Sequence, residues 1–153
     1  RTPRFLYGHG ECFFKQKTAY EIGVRLVVSE MCIRDRPNAN PLRDFINSCG
    51  RLREQLPPDL LVLPAHESLY VGVHERLTAL IDWHEVALEK MYELCAEPKR
   101  AVDVFPALFK SAITDMSFFP ATGEAIAHLH CALDRRIVTV EEDEHGVAWW
   151  RQA

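Results

Sequence analysis

The stretch Asn40–Glu67, NPLRDFINSCGRLREQLPPDLLVLPAHE, decides how the chain is read. Asn40 has the side chain of a helix N-cap, and Pro41 suits the first helical position, where no N–H is needed. Leu42, Phe45, Ile46, Cys49 and Leu52 follow at helical spacing, which predicts an amphipathic helix stopped by Pro57 and Pro58. Leu60–Leu63 is a short apolar run of the kind that fills a strand buried on both faces of an α/β sheet, and Pro64 stops it. Ligands in such sheets gather at the carboxyl ends of strands, so His66 stands where a site is expected.

Downstream, a long helix is predicted from Val73 to about Ala96, with Val73, Leu77, Leu80, Ile81, Leu88, Met91, Tyr92 and Cys95 on one stripe. His84 falls on that stripe, and a packed histidine with one satisfied nitrogen is the reading preferred over a ligand. His74 lies at the stripe's edge. Asp103 is expected to cap a short helix through about Lys110, and Thr122 a second one carrying Ile126, Leu129, His130 and Leu133 and ending near Arg135 and Arg136. Ile137–Val140, the charged turn Glu141–Gly146 and Val147–Trp150 then read as a hairpin. Helix, helix, hairpin is the order of a winged-helix-like module, with the hairpin as wing.

The segment Arg1–Arg36 shows no sustained helical or strand periodicity. Its strings KQKTAYEI (Lys15–Ile22) and SEMCIRDR (Ser29–Arg36) resemble translated sequencing-adapter DNA. The words AAG CAG AAG ACG GCA TAC GAG AT encode Lys15–Glu21 and the start of Ile22; GAG ATG TGT ATA AGA GAC AG encode Glu30–Asp35 and the start of Arg36. Residues 1–36 are therefore expected to be an adapter-derived, artefactual segment and not a domain, and His9, Cys12 and Cys32 carry no functional weight.

A length of 153 residues with 48% hydrophobic and 26% charged content fits one globular domain, or a small domain with an appendage, and excludes a repeat array, a disordered tail or a collagen. The net charge of −4 divides unevenly: residues 1–36 hold 7 basic and 4 acidic side chains, residues 37–153 hold 11 and 18. The wing itself carries Glu141, Glu142, Asp143 and Glu144, which phosphate would repel, so nucleic acid is not an expected partner unless Lys99, Arg100, Lys110, Arg135 and Arg136 form a separate basic patch. Five cysteines without a CxxC spacing indicate neither a disulfide framework nor a zinc ribbon, and a reducing, cytoplasmic setting is expected. No run approaches the roughly 18 to 20 apolar residues of a membrane helix, the N-terminus lacks a signal-peptide layout, and no membrane partner is expected.

The run NPLRDFINSCGRLREQLPPDLLVLPAHESLYVGVHERLTALIDWHEVALEKM resembles the C-terminal end of a metallo-β-lactamase-fold hydrolase. Arg100–Arg151 is similar to the small winged-helix-like module appended to the lactamase-like protein 2 branch of that superfamily. The resemblance implies an α/β fragment, the end of an αββα fold, over residues 37–72, and a long helix with a mostly helical winged-helix-like module over 73–153. It implies metal-assisted hydrolysis of an ester, thioester, amide or phosphodiester bond, with two metal ions, usually zinc, and a small-molecule substrate; some relatives are endoribonucleases.

Within LVLPAH, the resemblance makes His66 the last metal ligand, with Glu67 where many members have glycine. Glu67, Tyr70 and His84 become candidates for supporting the metal or lining a substrate channel. Trp83-His84 stands where two adjacent histidines are usual, Ala87 where arginine is common, and Glu124–Leu129 resembles the family's EALAHL helix. The family's HxHxDH signature is not met by His128-x-His130, because Ala132 and Leu133 occupy the required Asp and His positions and helical residues two apart point about 200° apart. His128 and His130 are thus expected to pack or to face solvent. One metal ligand cannot hold a catalytic zinc, which takes at least three from the protein, so the chain alone is expected to be an inactive fragment. A homodimer is a further expectation.

Overall fold

The structure, a computed structural model, describes residues 40–64 and 68–153. The adapter-like segment 1–36, and with it His66 and Glu67, lie outside the described residues.

Helix α1 spans Pro41–Gln55. Asn40 Oδ1 accepts the backbone N–H of Arg43 at 3.0 Å, the cap that the sequence predicts. Helix α2 spans Val73–Leu94 and buries Val73, Leu77, Ala87, Leu88 and Met91, followed by Cys95 at its C-terminal cap. Tyr92 is exposed, at the rim of the stripe, and the smaller Ala87 takes an inward place instead. Gly72, before α2, has φ of 102°, a left-handed conformation in which a side chain is strained.

Leu60–Leu63 does not form the expected two-sided buried strand. It makes a single antiparallel bridge, Val62 with Tyr70, and Leu63 is 46% exposed. A strand buried on both faces needs hydrogen-bonded neighbours, and among the described residues only Tyr70 supplies one. Leu60 and Val62 instead lean half-buried on Cys49, Val73 and Leu77.

Two helix starts also differ from expectation. A 3₁₀ turn, Ala101–Val104, leads into the short α3, Phe105–Leu108. Asp103 is not its N-cap: it sits within the turn and reaches back to accept the backbone N–H of Arg100 at 2.9 Å. Helix α4 spans Asp115–Asp134 and is capped at Thr114, where Ser117 Oγ accepts the Thr114 N–H at 2.9 Å. Pro120 lies inside it, close enough to the N-terminus to cost only the bond to Met116, so Thr122 continues the helix and donates its hydroxyl to the Phe118 carbonyl at 2.8 Å. The helix closes with Arg136 in the left-handed region, φ 60°, while Ile137 N–H reaches the Ala132 carbonyl at 3.1 Å.

Strands β1 (Val138–Glu142) and β2 (Ala148–Gln152) form the hairpin, with Val140 opposite Trp150. Asp143 organises its turn, accepting from His145 N, Val147 N and Trp149 Nε1 at 2.8–2.9 Å. Lys99 exchanges two backbone hydrogen bonds with Trp150, and Gln152 N–H reaches the Cys95 carbonyl at 2.8 Å, which ties the hairpin to the end of α2. The main core gathers Leu42 of α1, Leu88 and Met91 of α2, Val104, Leu108 of α3, Ala125 and Leu129 of α4, and Val138 and Trp150 of the hairpin. Alanines 121, 125 and 132 give α4 a small-residue face on which the other elements approach closely, and Ala127 is buried on another side. Cys49, Cys95 and Cys131 are buried free thiols, and burial raises each one's pKa above the ordinary value, so they act as small apolar residues.

Candidate functional site

On either side of His66 and Glu67 in the sequence, the backbones of Val62 and Tyr70 exchange hydrogen bonds of 2.8 and 3.2 Å. Tyr70 is half-buried there. An open depression lined by Pro58, Asp59, Val71, Gly72 and Glu75 lies beside this bridge, at the foot of α2.

His84 is elsewhere. It lies in the middle of α2, turned toward α4, where its Nδ1 meets His128 Nε2 at 3.1 Å. Tyr70 and His84, both candidates for one site, are thus not brought together: about three helical turns of α2, roughly 16 Å of rise, separate His84 from the start of that helix. His128 is 1% exposed, and its Nδ1 contacts the Glu124 carbonyl one turn back at 2.8 Å. The rings of Phe45 of α1 and Trp83 of α2 stand nearly perpendicular to that of His84, and Trp83 also meets His128. Burial lowers both imidazoles from the ordinary histidine value to about 4. Burial likewise raises the Glu124 carboxyl. The expectation that His84 packs with a satisfied nitrogen is met, and His128 is the partner that periodicity alone did not supply. For His84 a signal was present, its place on an apolar stripe, but His128 lies off the Ile126–Leu133 stripe read for its helix, and no spacing rule joins residues on separate helices.

His74 and His130 have other tasks. His74 Nε2–H donates to the Leu56 carbonyl at 2.8 Å and holds the end of α1 to the start of α2. His130 packs against Trp150 with ring centroids 5.7 Å apart. Among the described residues no group of three or more His, Cys, Asp or Glu side chains is placed to hold a metal ion.

Two of the three arginines of the basic patch considered above, and Arg43 besides, are engaged by carboxylates. Arg135 forms a two-pronged pair with Glu85, Arg100 binds Asp103 at 2.9 Å, and Arg43 binds Asp134 at 3.1 Å. On the hairpin, Arg151 pairs with Glu141 at 3.2 Å. None of the described helices is long and apolar enough to cross a membrane.

Residues 88–153 match the family described as metallo-beta-lactamase-like, C-terminal domain. That interval begins inside α2 and takes in α3, α4 and the hairpin, including His128 but not His84. The structure is similar to that of a beta-lactamase domain protein from Burkholderia ambifaria, with 32% identity, a TM-score of 0.71, and coverage of 76% of this chain and 35% of that one. It is also similar to a metallo-beta-lactamase family protein from Thermus thermophilus, with 24% identity, a TM-score of 0.62, and coverage of 74% and 34%; this second likeness shows the fold alone. The chain spans about a third of the length of these two proteins. No curated protein matches it.

Proposed function

Because this chain belongs to the metallo-β-lactamase superfamily, we propose that it is the C-terminal part of a metal-dependent hydrolase that cleaves an ester, thioester or related bond in a small molecule. The observation that carries this reading is the match of residues 88–153 to the C-terminal domain, in a chain that aligns with only 35% of the Burkholderia ambifaria protein. Two zinc ions would polarise the scissile bond and lower the pKa of a bound water. The described side chains do not fit such a centre: His74 is held by a backbone carbonyl, and His84 and His128 hold each other.

In this reading His66 would be the chain's one metal ligand, with Glu67 and Tyr70 beside it, while His84, turned toward His128, takes no part in that site. The unit formed by α3, α4 and the hairpin is read as the winged-helix-like module, packing on the hydrolase core and shaping one side of the substrate channel, in a cytoplasmic protein that forms homodimers. Residues 1–36 are read as adapter-derived. The acidic hairpin and the paired arginines favour this over a nucleic-acid-binding role.

Two measurements test the proposal. Reading the same locus upstream from an unchimeric template should reveal HxHxDH in frame; a natural in-frame sequence continuing through residues 1–36 without it would overturn the fragment reading. The purified chain should neither bind zinc stoichiometrically nor hydrolyse a thioester. Zinc-dependent turnover that disappears in His66→Ala would mean that the chain is an enzyme by itself.

A further inference from the structure

The contact between α2 and α4 contains a hydrogen-bonded pair of imidazoles whose proton positions are dictated by their surroundings. The Glu124 carbonyl can only accept, so His128 Nδ1 carries the proton in their 2.8 Å contact. His128 Nε2, unprotonated in the neutral ring, then accepts from His84 Nδ1–H at 3.1 Å. This leaves His84 Nε2 as the end of the series, holding a lone pair. A first added proton goes to that nitrogen and leaves both hydrogen bonds intact. A second can go only to His128 Nε2, where it would set N–H against N–H across the 3.1 Å contact.

We propose that His84 and His128 form a two-proton latch between α2 and α4, closed while the pair carries at most one added proton and opened by the second. The surroundings offer the second charge no counter-ion. On α2, Glu85 neighbours His84 but its carboxylate is gripped by Arg135 of α4. On α4, Glu124 gives His128 its backbone carbonyl while burial favours the neutral form of its carboxyl, and Cys131, on the following turn, is a buried thiol held neutral. From α1 comes the apolar Phe45 ring, and the cation Arg43 is taken up by Asp134 further along α4. Among the described residues no carboxylate lies within ion-pair distance of either ring.

The linkage has a definite sign. Both folded rings hold their protons less tightly, at about 4, than an unfolded histidine does at about 6.5, so the unfolded chain binds more protons between those values. The stabilisation is complete above about pH 6.5 and is lost as pH falls through 6.5 toward 4. The pair titrates as a coupled unit, His84 first. Docking of α4 and its hairpin on α1 and α2 is thereby made acid-sensitive.

The test combines ¹⁵N imidazole NMR of the full chain with urea unfolding across pH 4 to 7. Both rings should be Nδ1–H tautomers at pH 6.5, His84 should take up a proton before His128, and loss of the His128 signal should coincide with loss of α2–α4 contacts. In His84→Asn, whose amide donates to His128 Nε2 but does not titrate, the hydrogen bond is retained and proton uptake on unfolding near pH 5 should fall by about one proton from the wild-type value. Rings titrating independently near 6.5, an Nε2–H tautomer at His128, or a His84→Asn variant with unchanged proton uptake would overturn the latch. The NMR measurement needs only the wild-type chain, so it decides the matter even if a variant folds poorly.

Discussion

The guanidinium of Arg43 grips the carboxylate of Asp134, with Nη1 3.1 Å from both Oδ atoms, and joins the first turn of α1 to the last residue of α4 across 91 positions of sequence. The pair raises the Arg43 pKa, first through the hydrogen bond to Asp134, but both side chains are exposed to solvent. Exposed pairs are screened, so Asp134→Asn should lower the urea midpoint only slightly, and the difference from wild type should vanish in about 1 M salt, where the screening length is about 3 Å. A salt-independent loss would show that the pair holds α1 by geometry instead of charge.

Met91 has no exposed surface and sits where α2 meets the main core. Met91→Ala should cost about 2–5 kcal/mol through lost burial and the cavity left behind. Since small domains hold only about 5–15 kcal/mol in all, its urea midpoint should fall by a large fraction. A change under about 1 kcal/mol would mean that the surrounding side chains collapse into the space.

Two backbone positions should respond in opposite directions to glycine chemistry. Arg136 closes α4 at φ 60°, a conformation that costs a side-chain-bearing residue about 1 kcal/mol, so Arg136→Gly should raise stability by up to that amount. Gly72 sits at φ 102°; a Cβ there would lie 3.1 Å from Glu75 Oε2, the movable end of a side chain, so the penalty of Gly72→Ala comes from the backbone and should be about 1 kcal/mol. Paired denaturation curves check both signs.

Asp143 should make the hairpin turn acid-labile. The Trp149 indole N–H, followed by the Val147 backbone N–H, holds the Asp143 carboxyl below the ordinary aspartate value. A depressed carboxylate contributes stability that is present above its unfolded pKa of about 3.9 and is lost as pH falls through the folded value. The Trp149 indole N–H resonance should therefore move at a pH below 3.9, separately from the histidine transition, and should lose its pH dependence in Asp143→Asn.

Helices α1 and α2, the hairpin and their order were legible because capping residues, prolines and helical periodicity are local signals: Asn40, Pro41 and the Val73–Met91 stripe act within a few turns. The start of α4 was misplaced because Thr122 and Thr114 are both acceptable caps and Pro120 between them reads as a stop; the Ser117–Thr114 contact decides for the earlier one. The superfamily, too, was legible, through the apolar run before His66 and the Glu124–Leu129 segment, and the match over residues 88–153 agrees. The strand at Leu60–Leu63 was not, because burial on two faces is a property of neighbours, and among the described residues Val62 has only Tyr70. Nor could the sequence join His84 to His128, 44 residues apart: His84 shows only that it lies on an inward stripe and His128 lies off the stripe read for its helix, and the hydrogen bond exists because α2 and α4 pack in one particular register.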